Sequence, residues 1–208
     1  MKVAVLVGGV GRRIGMEKTE VMLCGKKLIE WVLEKYSPFQ TVFVCRDEKQ
    51  AEKLSSRYEA EFIWDLHKGV GSIAGIHAAL RHFGSCVVAA IDMPFVKPEV
   101  LEHLYKEGEK AGCDALIPKH DYPEPLLAYY AESAADELER AILQGIRKIL
   151  VPLERLNVVY YPVEKLRKFD KELISFFNIN TPDDLKRAEE ICSKMSTEGL
   201  LEHHHHHH

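Results

Sequence analysis

The chain has 208 residues, of which 46% are hydrophobic and 29% charged, with a formal net charge of −4. That length is enough to bury the core of one domain, and the near-neutral balance argues against a nucleic-acid scaffold. No apolar run approaches the ~18 residues of a membrane helix, and no signal-peptide core precedes the first strand, so a cytoplasmic protein is expected.

Residues 3–7, Val-Ala-Val-Leu-Val, form a continuous apolar run ended by Gly8-Gly9, which suits a strand buried on both faces of a parallel sheet. Similar runs recur at 41–45, 61–64, 86–91 and 114–117, separated by segments of helical period at 28–36, 48–58, 73–83 and 98–111. Strands alternating with helices predict βαβ units with right-handed crossovers: a doubly wound, mainly parallel α/β sheet with helices on both faces. Beyond Pro118 the rhythm loosens, with strands expected at 126–130, 158–161 and 174–178, a helix at 134–143 and an amphipathic helix at 183–195. Residues 201–208, Leu-Glu and six histidines, read as an appended tag, which leaves residues 1–200 as a single expected domain. The five cysteines (Cys24, Cys45, Cys86, Cys113, Cys192) are odd in number, far apart and without a C-x-x-C pair, so reduced thiols are expected. His77 and His82 are five apart and do not share a helix face as metal ligands do, so they read as core or surface histidines.

In open α/β sheets the ligand lies beyond the carboxyl ends of the strands, so the residues that follow each strand carry the functional reading. The loop from Leu6 through Val7, Gly8, Gly9 and Gly11 to Lys18 lets backbone N–H groups approach an anion, and Arg12, Arg13 and Lys18 supply cations, so its natural guest is a polyphosphate. No Gly-Lys-Ser/Thr ends it and Ile14 stands where the third glycine of a dinucleotide loop belongs, so it is neither type; a tight turn with exposed basic residues is the bland alternative. Asp65 follows the 61–64 strand and precedes Lys68-Gly69-Val70-Gly71-Ser72, where Ser72 is a candidate N-cap and the glycines a second backbone-lined pocket; a loop-capping carboxylate is the alternative. Asp92 ends the most apolar strand, at a sheet edge where a carboxylate is placed to hold Mg²⁺ shared with phosphates, although Asp-Met-Pro also suits a plain turn. Asn178 and Asn180 alternate at the end of the 174–178 strand and so point the same way, followed by Thr181 as N-cap and Pro182 as first helical residue.

The ordered set Leu-x-Gly-Gly-x-x-x-Arg-x-Gly-x-x-Lys, Gly-Lys-x-Leu-Ile-Glu, Asp65, Gly-x-Ile-Ala-Gly, Asp-Met-Pro-Phe and Asn-x-Asn-Thr-Pro-x-Asp-Leu resembles the molybdenum cofactor guanylyltransferase family, also called molybdopterin-guanine dinucleotide biosynthesis protein A. The resemblance runs from Val3 to Ala188. It implies a Rossmann-like, three-layer nucleotidyltransferase of GT-A type. Such an enzyme transfers GMP from GTP to molybdopterin with Mg²⁺ and releases pyrophosphate. It further implies that Leu6, Val7 and Gly8 line the guanine nucleotide, Lys18 contacts its phosphates, Asp65 contacts the nucleotide, Asp92 holds Mg²⁺, and Arg147, Lys148, Asn178 and Asn180 face the acceptor. Gly9 of the same loop is expected to bind nucleotide with them, and Arg13 to act with Lys18 and Mg²⁺ on the charge of the α-phosphate and departing pyrophosphate. Its partners are the two substrates and, transiently, other proteins of cofactor biosynthesis, with neither nucleic acid nor membrane. Two positions depart from the family pattern: Cys45 stands where an asparagine is frequent, and Val10 where a polar residue is.

Three alternatives stay open on the residues alone. A sister nucleotidyltransferase, for CTP or for a phosphorylated sugar or metabolite, would share the glycine loop. A non-catalytic GTP-binding sensor would tolerate loss of Asp92 more readily than loss of the loop. A Rossmann dehydrogenase is disfavoured because the second strand ends in Cys45-Arg46, with no acid for a ribose.

Overall fold

The computed structural model describes residues 1–65, 67 and 71–206, with the backbone alone from 196 onward. A seven-stranded sheet is built from β1 (Lys2–Leu6), β2 (Gln40–Cys45), β3 (Phe62–Trp64), β4 (Cys86–Ala90), β5 (Ala115–Lys119), β6 (Ala128–Tyr130) and β7 (Val158–Pro162), in the spatial order β7-β5-β6-β4-β1-β2-β3. The β1–β2, β1–β4, β2–β3 and β5–β7 pairs are parallel; β6 alone runs antiparallel, between β4 and β5. The expected mainly parallel sheet is present, with one reversed strand that its short apolar run gave no means of orienting.

Period-2 alternation divides the core into two layers. Val3, Val5, Phe43, Val87 and Ala89 face one side, where α1 (Leu28–Tyr36), α2 (Glu48–Ser55), α4 (Pro98–Ala111) and α7 (Pro182–His206) pack. Ala4, Val42, Val44, Cys86 and Val88 face the other, under α3 (Ser72–Phe83), α5 (Ala135–Leu143) and the short α6 (Leu150–Leu153). Both faces of the central strands are therefore apolar, which is why those strands read as unbroken hydrophobic runs. Local chemistry sets the helix ends. The Asp47 side chain accepts the Gln50 N–H at 2.8 Å to open α2, Pro98 starts α4, and Gly112 closes it at φ 62°.

Three local expectations need correction. Helix α2 stops at Ser55 instead of running to 58, because the Ser56 hydroxyl takes the Lys53 carbonyl at 2.7 Å and the chain folds into a turn. Helix α3 begins with Ser72 as its first residue, and Gly71, at φ 66°, occupies the cap. The strand expected at 174–178 is a 3₁₀ turn, Ile174–Phe176. The buried Asp170 carboxylate accepts the Ile174 and Ser175 N–H groups at 3.0 and 2.8 Å, and Leu173 stands at φ 53°, so these donors are unavailable to a sheet. The cysteines also depart from expectation: Cys24 and Cys192 form a disulfide across 168 positions, tying the ribbon Met22–Leu23/Lys26–Lys27 to α7, while Cys45, Cys86 and Cys113 are free and buried.

Candidate active site

The carboxyl ends of β1, β2, β3 and β4 and the start of α3 enclose a cavity of about 240 Å³. Leu6, Gly8 and Gly9 line it from β1, Cys45 and Arg46 from β2, Asp65 from β3, Gly71, Ser72 and Gly75 from α3, and Asp92 from β4. Gly8 is required by close approach: a Cβ there would lie 2.7 Å from the Arg46 backbone nitrogen. The loop after β1 folds into a small ribbon, Val10–Gly11 against Met16–Glu17, and uses the N–H groups of Arg12, Ile14, Gly15 and Lys18 for bonds within itself.

Lys18 leaves that ribbon and enters the cavity. Its Nζ donates to Asp92 Oδ2 at 2.5 Å and to Asn180 Oδ1 at 3.2 Å, and the Lys18 and Asp92 side chains are only 14% and 12% exposed. Asp92 Oδ1 is buried and has no hydrogen-bond partner among the described residues. An orphaned hard oxygen at the cavity wall fits a magnesium ligand. The Asp92 turn also fixes the C-terminal segment: the Ile179 N–H donates to the Asp92 carbonyl at 2.8 Å, which brings Asn180 onto Lys18. Asn178 turns away from Lys18, donating to Glu124 Oε1 at 3.2 Å. Burial raises the Glu124 carboxyl above its ordinary range, bonds from Leu126 and Asn178 oppose that, and the Asp92 charge adds to it.

The second carboxylate, Asp65, is buried. Its Oδ1 accepts the His67 N–H at 2.7 Å, and its Oδ2 lies 2.6 Å from His77 Nδ1. Asp65, His67 and His77 each bring a ligating atom within 4.8 Å of the others. Asp65 and His77 already pair with each other, however, and Arg81 Nε donates to His77 Nε2 at 3.2 Å, so both ring nitrogens of His77 have partners. The histidine spacing in sequence concealed this cluster, because His67 reaches it from the β3 end and not from the helix.

Some of the sequence-predicted residues reach the cavity and others do not. Leu6, Gly8, Gly9, Lys18, Asp65 and Asp92 meet at the cavity, with Asn180 on Lys18. Val7 lies next to them but is fully buried in the core, its carbonyl accepting Gln50 Nε2 at 3.1 Å. Arg13 is exposed on the ribbon and absent from the lining, and Arg147 and Lys148 are exposed between α5 and α6, outside the lining too. Lys68, Gly69 and Val70, expected beside Asp65 as part of a glycine pocket, lie outside the described residues. Arg46 lines the cavity without having been expected there, and Cys45 lines it at the position noted as departing from the family pattern. Arg46 donates to the Gly8 carbonyl at 3.4 Å and pairs with Glu17. Burial pushes the Cys45 thiol up to about 12, so it stays neutral.

A seven-stranded, mostly parallel sheet with Gly8, Lys18 and Asp92 at its carboxyl edge matches a described class: the sequence model of the MobA-like NTP transferase domain covers residues 3–158. The chain belongs to the MobA-like NTP transferase family. A relative from Methanosarcina mazei, named "Probable molybdenum cofactor guanylyltransferase", is 36% identical over 196 residues, covering 88% of this chain and 87% of its own. One of the same name from Pelotomaculum thermopropionicum is 32% identical, covering 93% and 94%. Among solved structures, a protein from Aquifex aeolicus VF5 superposes with a TM-score of 0.67 at 23% identity, covering 86% of this chain and 93% of that one. A Mycobacterium tuberculosis H37Rv protein does so with 0.67 at 16%, covering 91% and 98%. At those identities the likeness concerns the fold, which is that of this MobA-like transferase chain.

Proposed function

We propose that this MobA-like transferase joins the GMP moiety of GTP to molybdopterin, releasing pyrophosphate and forming the molybdopterin guanine dinucleotide cofactor. The observation that carries this reading is the Lys18–Asp92 pair with its orphaned Oδ1, set where a phosphoryl group would meet both charges. The names of the curated relatives support the nucleotide and the acceptor. The terminal phosphate of molybdopterin is the nucleophile. Its oxygen bonds to the α-phosphorus of GTP while the bond to the bridging oxygen of the β-phosphate breaks, and pyrophosphate leaves with that electron pair. A phosphate monoester is anionic near neutral pH, so no side chain need take a proton from it. Catalysis then rests on position and charge.

Two cations, Lys18 and Arg46, and two carboxylates, Asp65 and Asp92, line the cavity, so side chains alone leave a triphosphate's charge unbalanced. Asp92, through its unpartnered Oδ1, would hold Mg²⁺, which would supply positive charge to offset that of the phosphates. Lys18 then serves the phosphates, Asp65 the guanosine end, and Leu6, Gly8 and Gly9 the walls, with Val7 packed behind them in the core. Arg46, which lines the cavity, takes the second cationic place, and Arg13 remains outside it. Asn180 beside Lys18, and Asn178 on Glu124, are the candidate contacts to the acceptor. Arg147 and Lys148 would serve a bulky acceptor only at its periphery.

The test is anaerobic incubation with molybdopterin and Mg²⁺, with GTP, CTP and ATP offered separately and pyrophosphate recorded. Release with GTP alone is expected. Preference for CTP reassigns the base, and no release with any nucleotide removes the activity.

A further inference from the structure

A chain of polar contacts runs from the exposed face of α5 into the nucleotide cavity. Asp136 Oδ1 and Glu139 Oε2 accept from Arg81 Nη2 at 2.8 and 3.2 Å; Arg81 Nε donates to His77 Nε2 at 3.2 Å; His77 Nδ1 meets Asp65 Oδ2 at 2.6 Å; and Asp65 lines the cavity. His77 and Arg81 are four apart on α3 and so share a face, whereas His77 itself does not line the nucleotide cavity.

We infer that His77 is a positioning residue for the nucleotide site, holding the Asp65 carboxylate in its working orientation, and that Arg81 fixes the histidine tautomer that does so. The inference rests on the reading that Asp65 contacts the nucleotide. The Arg81 Nε–H needs an acceptor, so His77 Nε2 carries the lone pair and Nδ1 the proton. That proton is the donor Asp65 Oδ2 requires. The other tautomer would set a nitrogen lone pair against a carboxylate oxygen at 2.6 Å. With the His67 N–H on Oδ1, both oxygens are pinned, yet each keeps a lone pair for a donor on the ligand. A buried carboxylate that loses one such partner pays its desolvation and is free to rotate.

The test is isothermal titration of Mg²⁺-GTP into the parent chain and into the His77→Leu, His77→Asn, Asp65→Asn and Asp65→Asn/His77→Leu variants, with melting temperatures recorded alongside. Loss of one charge-assisted hydrogen bond in a buried site predicts that His77→Leu weakens GTP binding roughly 10-fold. In turnover this appears as a raised KM at nearly constant kcat. His77→Asn, whose amide can still donate to Asp65, should recover most of the affinity. The double variant should bind no worse than Asp65→Asn alone. Parent-like affinity in His77→Leu while Asp65→Asn is weakened overturns the positioning role. Equal loss in His77→Leu and His77→Asn, tracking their melting temperatures, overturns it in favour of a purely structural histidine. If Asp65→Asn binds like the parent, the nucleotide reading of Asp65 falls, and the role of His77 with it.

Discussion

Lys18 and Asp92 neutralise each other across the cavity wall, and that pairing decides what a substitution at either position does. Asp92→Ala removes a carboxylate at the cavity edge, from which Lys18 can turn to Asn180. We expect it to fold, with a melting temperature close to the parent's. Turnover should fall at least ~100-fold, the scale of losing one preorganised electrostatic contact. Unchanged pyrophosphate release would remove the metal assignment. Both residues were legible in sequence because each sits at a fixed place in its own βα turn. Arg46 was not, since its contact with Gly8 spans 38 positions and follows from β1 and β2 lying side by side. Nor was the role of His77, a helix residue whose partner Asp65 ends a strand 12 positions earlier.

At the scale of elements, the ribbon around Cys24 and helix α7 illustrate how far a local reading extends. The start of α7 was legible: the Thr181 hydroxyl accepts the Asp184 N–H at 3.1 Å, and the Asp184 carboxylate accepts the Thr181 N–H at 3.0 Å, a reciprocal cap written in neighbouring residues. Its disulfide to Cys24 was not, because nothing local reports a partner 168 positions away. Cross-linking a loop of that length restricts the unfolded chain by about 5 kcal/mol. We therefore expect a reducing agent to lower the melting temperature by roughly 10 °C for a chain of this size. The Cys24→Ser variant should melt at the reduced temperature with or without reductant. Identical melting of the parent in both conditions would show that the bridge does not form. The 174–178 segment carries the converse lesson: its apolar run suited a strand, but the buried Asp170 carboxylate takes two of its donors and makes a turn.

For the whole molecule, the joining of the two sheet halves shapes the pH dependence of stability. Glu124 lies between Pro118, whose carbonyl accepts its N–H at 2.8 Å, and Asn178. Burial first, and then the Asp92 charge, hold its carboxyl above the ordinary value of 4.5. The folded state binds this proton more tightly than the unfolded chain, so its contribution is complete at acid pH and is lost as pH rises through the raised value. Glu124→Gln, with no proton to lose, should gain in melting temperature relative to the parent between about pH 4 and pH 8. A difference between the two that is constant across this range would overturn the assignment. The sequence by itself determined the alternating α/β order, the glycine-containing loop after the first strand and the carboxylates at strand ends. These depend on periodicity and on turn positions that short stretches of chain specify. Only the tertiary structure decided the reversal of β6, the entry of Arg46 in place of Arg13, the separation of Arg147 and Lys148 from the cavity, and the contacts Lys18–Asn180 and Asp65–His77. Those depend on which strands become neighbours, and neighbours are chosen by burying both faces of the sheet at once, a condition that no local stretch of sequence contains.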